Sequence, residues 1–117
     1  MEKVSSNAEP LLNLLSQEDR PTAFVVSEDM LALALERACN KLNLSIPDDV
    51  SIIAFNNSLY SELAAPQLTA VDINSYQLGQ EAAMQIINYL ENPNLRPTKI
   101  IVPHRIVPRS SCRVIEV

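Results

Sequence analysis

The residues able to do chemistry in this chain are few, and those that stand together are mostly polar and neutral. Ser27 follows a short apolar, β-branched run at 22–26, and Asn56-Asn57 follows a second at 50–55. If both runs are parallel strands, their carboxyl ends bring Ser27, Asn56 and Asn57 to one edge. Open α/β sheets bind ligands outside that edge. Hydroxyl and amide groups offer both donors and acceptors, which is what a hydroxyl-rich ligand requires. The same residue types cap helices and make turns, and spacing alone leaves that second role open.

Most catalytic chemistry lacks the parts it needs. The single glycine, Gly79, lies inside a predicted helix, so no glycine-rich loop can cradle a phosphate. The single histidine, His104, stands between Pro103 and Arg105, away from any metal-ligand spacing. No GxSxG elbow presents a serine nucleophile. Asp48-Asp49 falls in a turn, and Glu28-Asp29 opens a helix, where the dipole favours negative charge. Cys39 sits on an apolar helical stripe and Cys112 in the C-terminal tail, with no shared spacing; two free thiols in a reducing compartment is the expected state. No catalytic residue, metal ligand or cofactor is assigned.

Composition narrows the class further. The chain has 117 residues, 47% of them apolar, with a formal charge of −5. An aliphatic core covered by Leu- and Ala-rich helices suits an α/β fold. Phosphate backbones attract basic stripes, so this stretch alone is not expected to bind nucleic acid. Its loose basic cluster, Lys99, His104, Arg105, Arg109 and Arg113, reads as a solvated face. No apolar run reaches the roughly 20 residues that span a bilayer. No apolar leader segment stands in MEKVSSNAEP. A cytoplasmic location without membrane contact is expected.

The elements that would position these groups follow from punctuation by eight prolines. A short helix is predicted over 7–15. A strand follows at 22–26, then a helix capped by Ser27 and running to about Leu42, with Leu31, Leu35, Ala38 and Leu42 on its apolar stripe. Asn43 can take the left-handed position that ends a helix, letting Leu44 fold back as the hydrophobic partner. The strand at 50–55 is apolar almost throughout and is expected to be buried on both faces. A helical turn is placed around 59–63 and a third strand at 68–73. A helix capped by Asn74, with Gln77 as capping-box partner, then runs to about Glu91. Leu78, Ala82, Ile86, Tyr89 and Leu90 mark its buried face. Short strands are predicted at 99–102 and 105–107. The order is strand–helix–strand, then strand–helix, then two strands, with the crossover long enough for parallel pairing.

With these pieces in order, the chain resembles the LacI/GalR family of transcription regulators. The pattern A-N-D-x-M-A-x-G corresponds to Val26-Ser27-Glu28-Asp29-Met30-Leu31-Ala32-Leu33. The long stretch around V-P-x-D-(I/V)-S corresponds to Ile46-Pro47-Asp48-Asp49-Val50-Ser51 and continues through Phe55-Asn56-Asn57. Pro66-Gln67-Leu68-Thr69-Ala70-Val71, Leu78-Gly79-Gln80-Glu81-Ala82 and Arg109-Ser110-Ser111-Cys112 match the remaining motifs. The match covers about 21–112. It departs where Ser27 replaces the usual Asn, Asn56-Asn57 replaces an acidic pair, and Asn43 and Ala54 replace glycines. The Phe55-Asn56-Asn57 variant looks like that of maltose-operon repressors.

The resemblance implies part of a periplasmic-binding-protein-like (type I) fold: parallel βαβ, a further βα and short β segments. It implies two subdomains around a ligand cleft, with about 20–66 and 104–117 in the C-terminal one and about 70–103 normally in the N-terminal one. It implies a homodimeric repressor in which Asn56 and Ser27 contact a small-molecule sugar effector. It also implies operator binding through a helix-turn-helix head, which this stretch does not include. Without the rest of the N-terminal subdomain, apolar faces such as Ile86 and Leu90 would be exposed, so self-association is expected. The competing readings are a stand-alone sugar-binding protein and a small α/β enzyme.

Overall fold

The computed structural model describes residues 8–116. Eight elements follow in the order α1 (Ala8–Leu15), β1 (Ala23–Val26), α2 (Asp29–Lys41), β2 (Ser51–Phe55), α3 (Leu59–Leu63), β3 (Thr69–Asp72), α4 (Ser75–Glu91) and β4 (Arg105–Val107). Asn7, the first residue of the predicted opening helix, lies outside the described residues. The strands form one sheet in the order β1-β2-β3-β4. β1, β2 and β3 are parallel, with Val26 opposite Ala54 and Phe55 opposite Val71. β4 returns antiparallel along β3, with Asp72 opposite Arg105.

The core lies between this sheet and α1 and α2. Ile52, Ala54, Val50 and Leu68 meet Ala32, Leu35, Ala38 and Cys39 of α2 and Leu15 of α1, all buried. Burying a side chain the size of Ile52 or Leu68 stabilises the fold by roughly 1.5–3 kcal/mol. Alternation explains which strand residues take part. Ile52 and Ala54 point to α2, while Ser51, Ile53 and Phe55 point away and keep solvent exposure. β2 is therefore buried on one face, not on both as its apolar composition predicts. On α2, Leu35 and Ala38 are buried as expected, but Leu31 is exposed and Ala32 and Cys39 take its place. The free thiols of Cys39 and Cys112 are buried and half-buried respectively.

The helix ends show how local chemistry sets these elements. Asn43 is left-handed at φ 55°. The Leu44 N–H donates to the Cys39 carbonyl at 2.9 Å and the Asn43 N–H to the Asn40 carbonyl at 3.2 Å. This is a Schellman end, and Leu44 packs against the core as the sequence leads one to expect. The start of α2 differs from expectation. Glu28, not Ser27, holds the cap position and makes no side-chain cap bond. Asn74 holds the cap position of α4 and meets Gln77 as expected, but it is left-handed and its amide donates to the Gln77 side chain at 2.8 Å in place of a backbone capping box.

Beyond β3 the packing stops. α4 contains no buried residue; Leu78, Ile86, Tyr89 and Leu90, expected on a buried face, are all exposed. Residues 99–102 form no strand. Their apolar side chains suit a strand, but among the described residues no neighbouring strand pairs with them, and Pro97 and Pro103 bracket them without amide donors. The radius of gyration is 18.6 Å, against about 13–14 Å for a compact chain of this length.

Candidate functional site

The carboxyl ends of β1, β2 and β3 converge on one edge, and each delivers polar groups there. Ser27 leaves β1 exposed, and Asn56 leaves β2 exposed. The pairing of Val26 with Ala54 sets the two loops side by side. Asn57 comes to the same edge but turns inward. Its Oδ1 accepts from the Arg109 guanidinium at 2.6 Å, and its Nδ2 donates to Asp72 Oδ2 at 3.3 Å. Of the three residues placed at this edge by sequence, Ser27 and Asn56 face outward and Asn57 is tied within the protein.

The loop carrying the asparagines is pinned on both sides. Asn56 and Asn57 are both left-handed, at φ 89° and 51°, a region in which Asn is among the few tolerated residues. The Asn56 N–H donates to the Val71 carbonyl at 3.0 Å. On the far side, the Ser58 N–H donates to Asp29 Oδ2 at 2.8 Å, and the Ser58 hydroxyl donates to the same oxygen. The Ser61 hydroxyl adds a longer bond at 3.4 Å. Asp29 is thus buried at the start of α2 with its charge satisfied by the loop after β2. A carboxylate taken out of water needs such partners.

Asp72 and the arginines complete the arrangement. Asp72 ends β3, accepts from the Asn74 N–H at 2.9 Å and pairs with Arg105 at 3.4 Å. The Asn74 N–H, the Asn57 amide and the Arg105 guanidinium hold its carboxyl below the usual carboxylate range. Arg109 is only 11% exposed. It donates to the Leu68 carbonyl at 2.6 Å as well as to Asn57. The solvated face expected of the basic cluster therefore holds for Arg105, which is 74% exposed, and fails for Arg109. Two residues further on, the Ser111 hydroxyl accepts from the Thr69 N–H at 2.8 Å and donates to the Ile52 carbonyl. The tail at 109–111 locks β3 to β2 from their amino-terminal side.

Asp29, Ser58, Asp72 and Arg109 were not picked out by residue spacing. In the sequence Asp29 stands out only in the helix-opening pair Glu28-Asp29, and Arg109 only in the loose basic cluster and in Arg109-Ser110-Ser111-Cys112. Among the described residues, no three His, Cys, Asp or Glu side chains gather as a metal site. No helix there is long and apolar enough to cross a membrane. The edge offers neutral hydrogen-bonding groups on a braced backbone, a geometry for binding polar ligands.

A model of the periplasmic binding protein-like domain matches residues 2–112. The chain belongs to this family, in its LacI/GalR branch. It is 32% identical to the HTH-type transcriptional repressor PurR of Glaesserella parasuis serovar 5, over 90% of this chain and 33% of that protein. A LacI-type transcriptional regulator structure from Bacillus cereus subsp. cytotoxis superposes with a TM-score of 0.87 at 37% identity, covering 94% of this chain and 39% of that one. A LacI family regulator from Enterococcus faecium, solved with bound ribose, gives 0.82 at 26% identity, covering 97% and 41%. The chain spans about a third of the length of the curated relatives it matches. These family members are transcription regulators, not enzymes, and none of the three is named for maltose.

Proposed function

We propose that this domain forms one wall of an effector cleft in a sugar-responsive transcriptional repressor. The observation that carries the reading is the pair of exposed polar residues, Ser27 and Asn56, presented side by side at the carboxyl edge of β1 and β2. Neutral amide and hydroxyl groups match sugar hydroxyls in both donor and acceptor sense. The ribose bound to the Enterococcus faecium relative supports that ligand class. The helix-turn-helix type of the PurR relative supports action on operator DNA through a separate head. The effector chemistry is binding without turnover, and the cell compartment of such a regulator is the cytoplasm. In this reading 20–66 and 104–117, together with β3 that pairs with β2, belong to one lobe of the cleft, and the α4 segment that follows β3, up to about 103, serves the other.

The test is isothermal titration of the protein with neutral sugars, ribose among them. Asn56→Ala should weaken binding by roughly 1–3 kcal/mol, the cost of leaving a buried polar partner unmatched. Unchanged affinity in the variant would overturn the assignment.

The exposed face of α4 further supports self-association of this chain. Ile86 is 62% and Leu90 76% exposed, and apolar surface of this kind tends to be covered in solution. Light scattering after size exclusion should give more than one chain per particle, and Leu90→Glu should lower the mass. A clean monomer at high concentration refutes this part.

A further inference from the structure

Three consecutive residues after β2 are treated differently by the fold. Asn57 spends both atoms of its amide on internal partners, Arg109 and Asp72. Ser58 spends both its N–H and its hydroxyl on Asp29. The Asn56 side chain is exposed and makes no hydrogen bond among the described residues, although its backbone N–H is tied to Val71. Asn tolerates the left-handed region as a single residue, but two left-handed residues in succession are a costly backbone for any side chain. The second of them is held by its own side chain, which reaches partners 15 and 52 residues away in sequence.

We propose that Asn57 is a positioning residue whose amide, gripped between Arg109 and Asp72, holds the Asn56 side chain out at the ligand edge. The inference rests on reading Asn56 as the ligand contact. The division of labour follows from hydrogen-bond capacity. An Asn57 that bound ligand directly would have to release Arg109, which is nearly buried and has been taken out of water. It would also have to release Asp72, whose carboxylate gathers the Asn74 N–H and Arg105. Because Asp72 ends β3 and Arg105 begins β4, the same grip ties the loop to both strands that border the α4 segment. Asn57 is the only one of the three loop residues whose side chain touches both β3 and the segment after β4.

An exchange of the two side chains tests this. Asn57→Asp keeps an acceptor for Arg109 but sets a carboxylate against Asp72. Adding Asp72→Asn restores one amide and one carboxylate with the positions swapped. In the 117-residue chain, hydrogen exchange at the Asn56 N–H should be about tenfold faster in Asn57→Asp and return close to the original rate in the double variant. Asn57→Gly, which accepts the left-handed backbone but has no amide to grip, should also speed exchange at Asn56 while leaving the Leu68 N–H protected. Unchanged exchange at Asn56 in Asn57→Gly, or no recovery in the double variant, overturns the proposal. Ribose titration of the same variants keeps the two readings apart. If Asn56→Ala leaves affinity unchanged, the ligand assignment falls, while the exchange data still decide whether Asn57 holds the loop.

Discussion

The β1–β3 region and the α4 segment are built from similar proportions of aliphatic residues and end in opposite states. The first buries Leu15, Leu35, Val50, Ile52 and Leu68 to 3% exposure or less. In the second, seventeen helical residues bury none. Helical periodicity is present in both, so periodicity alone does not produce a core. What differs is the presence of a facing surface. α2 has the sheet and α1 to pack against, with the crossover from β1 to β2 holding it there. α4 is joined to the rest through Asp72 at one end and Arg105 at the other. The lesson is that an amphipathic helix records a partner surface in its sequence whether or not that surface is in the same stretch of chain.

Substitutions in each region test this contrast. The largest effect should come from paired truncations. Leu68→Ala should destabilise the domain by about 2–5 kcal/mol, as for other fully buried leucines. Leu90→Ala, compared at protein concentrations low enough to separate the self-associated chains, should stay within about 0.5 kcal/mol, as for other exposed sites. Denaturant titration of both variants decides it, and comparable losses would mean that α4 is packed in solution.

A smaller, pH-dependent effect should arise at Glu36, which is buried on α2 with Oε1 lacking a partner among the described residues. Burial pushes its carboxyl up from 4.5 to about 7. A carboxyl raised in the folded state contributes its full stability below its ordinary value and loses it as pH rises through about 7. Glu36→Gln should therefore stabilise the fold more at pH 8 than at pH 5, relative to the parent chain. Equal effects at both values, read by denaturant titration, would contradict this.

The smallest effect should come from Gly79→Ala. A Cβ at that position meets nothing within 4 Å, so the gain in helix propensity, about 1 kcal/mol, is local. Circular dichroism should show more helix, while the denaturation midpoint of the β1–β3 core stays put. A shift of that midpoint would show that the two regions unfold together.

Much of the framework was legible in the sequence because it is decided by neighbours in the chain. Proline positions delimit the strands, 59–63 forms the expected helix, and Asn43 with Leu44 ends α2 as its residue types require. The parallel order follows from the crossover through α2. The site was legible in its outward half, since Ser27 and Asn56 needed only strand ends to be located. Its inward half was not. The grip on Asn57 comes from Asp72 and Arg109, and that on Ser58 from Asp29, 29 residues earlier. No local pattern encodes such pairings. Ser27 misled because a good cap type does not fix the cap position, which fell to Glu28; Asn74 does hold the cap of α4 and meets Gln77, but side chain to side chain.

The four left-handed asparagines, Asn43, Asn56, Asn57 and Asn74, have a consequence for the unfolded chain. Glycine would reach the same backbone angles more easily, but it would also widen the set of conformations open to the denatured state. With Gly79 its only glycine, this chain makes its reversals from residues that wander less before folding. Less disorder is then lost when the loops close, and a small domain whose longest helix buries no residue needs that economy.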